Sequence, residues 1–476
     1  MADAKGFLVA GEWKSATETF DVASPYDGEV VATVATPSDD DVERAVQAAS
    51  DAFAETRVLP LHARAEALAH ISARLAERRD EVAETIAREG GKPLKWARIE
   101  AARAASTFRW AAEETRREGG ELMRFDADAA HGSRAGVIRR FPLGPVLAIA
   151  PFNFPVNLVA HKVAPALAVG APIVVKPATK TPLGALLLGE LFMETDLPPA
   201  MCQVLPVGGS KAGEMAADDR FAKISFTGSS EVGWRLREAA PKKAVTLELG
   251  GNAGVIVHSD GDVDKAARRI AFGGYYQAGQ SCISVQRVLV QRSVAEDFTD
   301  KLVAEVGKLV TGDPIDPDTD VGPVIDRDAL DRISAWVDEA VGAGAEVLAG
   351  GKREDPFYSP TVLARTRPDM KVRCEEIFGP VITVEPYDDF DEAIAEVNNS
   401  RYGLQAGVFT RDVDRLFLAF RDIEAGGIVA NDVSAFRADQ MPYGGTKDSG
   451  TGREGLRWAM SEMTEPKVLV LSDIPL

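Results

Sequence analysis

Between residues 132 and 258 short apolar runs alternate with segments of helical period, a pattern that predicts an open parallel α/β sheet. Strands are predicted at 146–150, 173–176, 202–207, 222–226, 244–248 and 253–257, with helices near 156–169, 181–194, 211–217 and 230–239 between them. Upstream, residues 7–36 alternate apolar and turn residues, with Ser24-Pro25-Tyr26-Asp27-Gly28 between two apolar runs in a hairpin-like pattern. Ser38 then caps an amphipathic helix carrying Val42, Ala45, Val46, Ala49 and Phe53 on one face. Two long helical stretches, 61–89 and 93–118, are divided by Gly90-Gly91-Lys92-Pro93. A second α/β pattern follows: a helix at 262–275, the strand-like Arg287-Val288-Leu289-Val290, helices near 293–309 and 326–343, a strand near 381–385, helices near 389–398 and 411–422, and a strand at 427–431.

At 476 residues the chain suits two or three domains. A formal net charge of -19 opposes extended contact with nucleic acid or an anionic membrane surface, so neither is expected as a partner. Cys202, Cys282 and Cys374 are far apart and form no C-x-x-C pair, which points away from disulfides and thiolate metal sites and towards a reducing cytoplasm. The five histidines show no ligand spacing, and no metal is expected. Met1 to Gly6 has no basic region leading into an apolar one, and no apolar run reaches membrane-spanning length.

The candidate chemistry sits in a few short stretches. Cys282 lies in Tyr276-Gln277-Ala278-Gly279-Gln280-Ser281-Cys282-Ile283-Ser284, at a junction between helix and strand where a side chain can face a cleft. Taken alone, such a cysteine reads as a small buried hydrophobe. Its context includes Asn153 in Pro151-Phe152-Asn153-Phe154-Pro155, Glu248 in Leu247-Glu248-Leu249-Gly250-Gly251, and Glu376 in Glu375-Glu376-Ile377-Phe378-Gly379-Pro380. No G-x-G-x-x-G stands at a strand end. Phe226-Thr227-Gly228-Ser229-Ser230 does lead from a strand into a helix, where it serves either as an ordinary cap or as a pyrophosphate cradle. Arg109 and Arg117, eight residues apart, fall near one helical face and either point into a common space or sit in solvent beside acids such as Glu113.

The order and spacing of these motifs resemble the aldehyde dehydrogenase superfamily over nearly the whole chain. The resemblance implies a Rossmann-type cofactor domain (1–122 and 143–249), a second α/β catalytic domain (250–450) and oligomerisation elements (123–142 and 460–476) that assemble a homodimer or homotetramer. It makes Cys282 the nucleophile, Asn153 an oxyanion donor and Glu248 the general base. It assigns the cofactor to Phe152, Lys176, Thr179, Phe226, Gly228, Ser229, Gly250, Glu376 and Phe378. Relatives specific for NAD commonly carry a glutamate where this chain has Thr179, so NADP is favoured over NAD. Phe436-Arg437-Ala438-Asp439-Gln440-Met441-Pro442-Tyr443-Gly444-Gly445 resembles the branch acting on lactaldehyde, glyceraldehyde 3-phosphate and similar aldehydes. Arg109, Arg117, His161 and Arg437 are thereby expected around a small polar or anionic aldehyde. Succinate-semialdehyde dehydrogenases tend to carry arginines where His161 and Tyr276 stand, which disfavours that substrate. Glu248 favours a free acid over an acyl-coenzyme A product, and the presence of Cys282, Asn153 and Glu248 together disfavours a non-catalytic binding or structural protein on the same scaffold.

Overall fold

A computed structural model of the chain describes residues 4–473. The alternation in its first half folds as an eight-stranded sheet with a parallel centre: Val146–Ile149, Ile173–Lys176, Cys202–Val204, Lys223–Thr227 and Ala244–Glu248. In space Val146–Ile149 lies between Ile173–Lys176 and Lys223–Thr227, so the winding reverses beside it. Beyond the carboxyl ends of strands at such a reversal, the departing loops leave a crevice for a ligand. Asn153 follows the first of the two strands at the reversal, and Gly228 follows the second.

The helices Asn157–Val169 and Leu183–Met193 are almost wholly buried, which accounts for sequences apolar on every side. Neither carries a capping side chain of its own. Carboxylates from other helices do that work. Glu100 accepts from the NH groups of Val156 (3.0 Å) and Asn157 (3.1 Å), and Glu89 accepts from those of Leu183 (2.8 Å) and Gly184 (3.1 Å). Both acids come from the long helical stretches after residue 60, which break at Arg78 into Leu61–Glu77 and Arg79–Gly90 and resume as Leu94–Arg116.

The second half folds around a seven-stranded sheet centred on Val285–Gln291 and Ala253–Val257. Three strands of this sheet lie outside the expected pattern. Glu346–Ala349, Thr361–Ala364 and Gln405–Phe409 belong to this sheet and were not foreseen, because runs of four or five residues with Ala, Gly or Glu among them carry little strand signal. The hairpin expected around Ser24–Gly28 forms, Thr19–Ala23 pairing with Val30–Ala35, while Phe7–Val9 pairs with Glu12–Lys14 and joins the first sheet antiparallel to Cys202–Val204. The polar stretch after residue 120 forms the strands Glu121–Arg124 and Arg134–Pro142, which make a three-stranded sheet with Thr464–Ser472. Residues 474–476 of the proposed assembly element, and residues 1–3, lie outside the described residues.

The loop that carries Cys282 joins the two halves. Helix Val263–Tyr275, capped by Asp262, runs into a tight turn in which Gln277 and Ala278 adopt φ of 54° and 53° and Gly279 φ of 68°. A Cβ on Gly279 would lie 2.1 Å from the carbonyl oxygen of Gly379. Left-handed strain and a backbone clash therefore coincide at that position. Gly279→Ala is expected to cost roughly 2–5 kcal/mol of stability, read by chemical denaturation. A loss below about 1 kcal/mol would show that the turn is not pinned against Gly379.

Candidate active site

Cys282 is partly exposed where two cavities meet. The larger, about 850 Å³, opens at the winding reversal of the first sheet, and Asn153 and Glu248 line it with Cys282. The smaller, about 260 Å³, is lined by Arg103, Phe154, Tyr276, Arg437 and Tyr443 among others. A group bound in either cavity reaches the same sulfur.

Hydrogen bonds running both ways fix Asn153 against the cysteine loop. Its side-chain NH₂ donates to Gln280 O at 3.0 Å, and its own carbonyl accepts from the side-chain amide of Gln277. An amide NH₂ has two hydrogens, so the bond to Gln280 orients the group and leaves one hydrogen for a ligand. The backbone NH of Cys282 has no backbone acceptor among the described residues. Burial pushes the Cys282 thiol up to about 12, and a Tyr443 hydroxyl 3.1 Å from Sγ pulls it back in part.

Glu248 ends the strand Ala244–Glu248, and neither of its buried oxygens has a hydrogen-bond partner among the described residues. Burial, followed by the nearby Glu454 carboxylate, raises its pKa well above the usual range. Glu454 behaves in the opposite way. Burial opposes its ionisation, but Lys162 and Arg437 outweigh that and hold it low. Lys162 Nζ donates to Glu454 Oε1 at 3.0 Å and to Thr227 Oγ1 at 2.7 Å, while Arg437 Nη2 donates to Glu454 Oε2 at 2.9 Å. Two neighbouring carboxyls are thus driven apart in acidity, the arrangement that separates a proton-transfer group from a structural anion.

The structure corrects three of the substrate candidates. Arg109 is exposed on its helix with its guanidinium near Trp110, and it lines neither cavity. Arg117 points to solvent, paired with Glu114 at 2.9 Å. Eight residues is a little over two turns, and the helix face they share looks outward. His161 is buried behind the smaller cavity, with Nε2 3.1 Å from Asp439 Oδ1. Arg437 does reach the cavity, bound to Glu454 as it does so. Sequence reasoning missed two arginines of the cavity, Arg269 and Arg103, the latter donating from Nη2 to Asp439 at 2.8 Å. That partner lies 336 positions away from Arg103, so no local pattern announces it. Lys162 had a signal, a lone lysine in an otherwise apolar helix, which implies a buried partner.

The nine residues assigned to the cofactor all line the larger cavity. Ser229 stands at the N-cap of helix Ser230–Ala239, yet its hydroxyl makes no capping bond, leaving the first helical NH groups open to an anion. Lys176 Nζ has its pKa lowered by burial alone, with no charged partner. Glu376 accepts from Gly251 NH at 2.8 Å and is raised by burial to about 7, and a Cβ on Gly250 would lie 2.3 Å from its Oε2. Phe152 and Phe378 meet edge to face at 5.8 Å. An elongated cleft with open NH groups at one place, an unpaired lysine at another and a carboxylate near the thiol fits a dinucleotide.

A family model described as "Aldehyde dehydrogenase family" matches residues 13–469. The chain belongs to that family. This aldehyde dehydrogenase is 43% identical over 468 residues to a 3-sulfolactaldehyde dehydrogenase of Priestia aryabhattai, with 98% of each chain covered. It superposes with a TM-score of 0.98 and 42% identity on aldehyde dehydrogenase 21 of Physcomitrella patens in complex with the reaction product succinate, covering 100% of this chain and 99% of that one. It matches a glyceraldehyde-3-phosphate dehydrogenase of Methanocaldococcus jannaschii complexed with NADP at a TM-score of 0.92 and 36% identity, covering 96% and 100%. Within this dehydrogenase the buried ion pairs are structural supports for the site. Lys162→Met removes one of the two cations on Glu454 and is expected to cost about 3–5 kcal/mol, because a buried charge is left under-compensated. Denaturation midpoints measure it, and a loss below about 1 kcal/mol would mean that Arg437 alone suffices.

Proposed function

We propose that the chain oxidises a small polar or anionic aldehyde to its carboxylic acid through a covalent intermediate on Cys282. The observation that carries this reading is the position of one thiol between two cavities, with an amide donor and an unpaired buried carboxyl beside it. Cys282 Sγ adds to the aldehyde carbon, and the second NH of Asn153 with the backbone NH of Cys282 holds the oxyanion. A nicotinamide bound in the larger cavity supplies the hydride acceptor. Loss of hydride from the tetrahedral carbon leaves a thioester on Cys282. Glu248 then takes a proton from water, which attacks the thioester and releases the acid.

Lys176 and Ser229 support the phosphate end of the cofactor, and Glu376 with Phe378 the nicotinamide end. Thr179 puts no carboxylate against a 2′-phosphate, which favours NADP while leaving NAD possible. Lys180 is held by Asp326 at 2.7 Å, so the free positive charge there is that of Lys176. Arg103 and Arg437 are the groups we assign to the substrate's polar tail. The moss relative's succinate returns a four-carbon dicarboxylic semialdehyde to the candidates, beside 3-sulfolactaldehyde, lactaldehyde and glyceraldehyde 3-phosphate. We divide the chain into cofactor (1–122, 143–249), catalytic (250–450) and assembly (123–142, 460–476) units. Exposed Val468, Leu469 and Val470 on the edge strand Thr464–Ser472 support a homodimer or homotetramer. Three free cysteines are consistent with the cytoplasm.

Reduced-nicotinamide formation with NAD and NADP across those four aldehydes and a plain alkyl aldehyde tests the reading, with Cys282→Ala as control. Turnover lost in the control supports it, and turnover that persists there would overturn the covalent route. Arg103→Leu is expected to raise KM about 10–100-fold for the anionic aldehydes and little for the alkyl one; equal effects on both would remove Arg103 from recognition. Glu248→Gln should retain a burst of about one reduced nicotinamide per subunit while steady turnover falls at least about 10²-fold. A base must be unprotonated, so wild-type turnover is lost as pH falls through the raised Glu248 pKa, well above the usual carboxylate range. Steady turnover by Glu248→Gln with an unchanged acidic limb would exclude Glu248 as the base.

A further inference from the structure

We propose that the Tyr443 hydroxyl is a catalytic hydrogen-bond donor to the Cys282 sulfur, held at that sulfur by the Arg437–Glu454 ion pair. The inference rests on the covalent chemistry proposed above. Tyr443 is buried against Ile283 and Leu404, and its hydroxyl lies 3.1 Å from Cys282 Sγ. No other hydrogen bond to that hydroxyl occurs among the described residues, so the sulfur alone satisfies a buried polar group. A phenylalanine would fill the same volume and keep the same apolar neighbours. The hydroxyl is what the position adds.

Three constraints aim it. The backbones of Tyr443 and Glu454 exchange two hydrogen bonds, Tyr443 NH to Glu454 O at 3.0 Å and Glu454 NH to Tyr443 O at 2.7 Å. The Glu454 side chain binds Arg437, whose guanidinium returns over the Tyr443 ring at 3.7 Å from its centre. The ring is therefore fixed by its own backbone, by a cation on one face and by apolar packing. The next residue serves the other catalytic group. A Cβ on Gly444 would lie 2.8 Å from the Gly452 carbonyl oxygen and 2.9 Å from Glu248 Oε1, so glycine fits against the neighbouring backbone and leaves space beside Glu248. One dipeptide touches the nucleophile and makes room for the base.

The hydroxyl acts as a donor and not as a base. Burial, reinforced by the adjacent Cys282, holds the phenol well above its ordinary pKa, so it keeps its proton throughout. Its bond to sulfur is the largest influence lowering the Cys282 pKa against burial. When the thiol reacts, its proton leaves to solvent in the larger cavity and the S–C bond forms. The carbonyl π pair moves to oxygen, and Tyr443 loses nothing. As sulfur gives up its negative charge the hydrogen bond weakens, so the hydroxyl chiefly favours the thiolate that precedes attack.

The size of the effect follows from two opposing trends. A hydrogen bond to a charged group shifts a pKa by about one unit, so removing it lowers the thiolate fraction about tenfold below the pKa. The thiolate that remains is about threefold more nucleophilic, since reactivity rises with thiol pKa at a slope near 0.4–0.5. Alkylation of Cys282 by iodoacetamide in Tyr443→Phe should therefore be about threefold slower than wild type at every pH from about 7 to 10. Cys282→Ala supplies the background from the other cysteines, and a thermal melt checks the fold.

A merely structural tyrosine gives the opposite sign, because a loosened loop exposes the thiol and labels faster, with a lowered Tm. Faster or unchanged labelling would overturn the proposal. Tyr443→3-fluorotyrosine, which keeps the shape and makes the hydroxyl a stronger donor, should label faster than wild type with an unchanged Tm. It also decides the matter if Tyr443→Phe fails to fold, since slower or unchanged labelling there would overturn the proposal. Labelling needs neither aldehyde nor cofactor. A failure of the proposed oxidation therefore shows only in the turnover assay, while a failure of this inference shows in the labelling.

Discussion

The side-chain exchange between Asn153 and the cysteine loop is the constraint on which the site depends. Asn153 belongs to a loop leaving the first sheet, whereas Cys282 leads into the central strand of the second. Distances between such groups drift unless bonds cross directly from one element to the other, and a misplacement of about 1 Å costs about a hundredfold in rate. Gln277 reaches the Asn153 carbonyl and the Asn153 amide reaches the Gln280 carbonyl, so each element orients the other. The left-handed turn at Gln277 and Ala278 is the conformational cost of presenting both glutamines to that contact. Gln280 also accepts from Ile325 NH at 2.9 Å, tying the same loop to the chain beyond the second sheet's first helices.

Charge around this junction is paired in the smaller cavity and left unpaired at Lys176 and Glu248 in the larger. In the smaller cavity each cation has an acid of its own: Lys92 with Glu100, Arg103 with Asp439, Arg269 with Asp432 and Arg437 with Glu454. Pairing limits the cost of burying them. It also means that the cavity recognises an anion by directed NH groups left over from paired guanidiniums, not by bare charge, and a planar guanidinium with five donors suits that use better than an ammonium. Glu248, in the larger cavity, is a buried carboxyl without a hydrogen bond among the described residues, which suits the proton-transfer role we propose for it.

The sequence carried the architecture of the first half and the identity of the groups at Cys282, because both rest on local signals: apolar runs of strand length, and short motifs whose residues stay together in space. Signals failed where partners are distant. Arg103 owes its place to Asp439, whereas Arg109 and Arg117 stand out by helical spacing and by the family resemblance. Spacing fixes which residues share a face but not which way that face looks. Here the helix Leu94–Arg116 turns Ala101, Ala104 and Ala105 inward and Arg109 outward. The strands Thr361–Ala364 and Gln405–Phe409 were invisible for a related reason. Each is only four or five residues long, and the strands that pair with it come from elsewhere in the chain.

The electrostatics of Cys282 and Glu248 also impose an order on the chemistry. The Glu248 carboxylate is among the charges that raise the thiol, and by reciprocity a thiolate must raise Glu248. With Glu454 already ionised beside them, two further anions are disfavoured in one chamber. In the covalent route proposed above, formation of the S–C bond keeps charge off sulfur, so no thiolate then opposes the ionisation of Glu248. Glu248, the base we propose, is thus easier to ionise once Cys282 carries the acyl group, when water rather than thiol has to be activated. A carboxyl left without hydrogen bonds responds to that change more than one locked in an ion pair, which gives the unpaired state of Glu248 and the paired state of Glu454 their separate physical reasons.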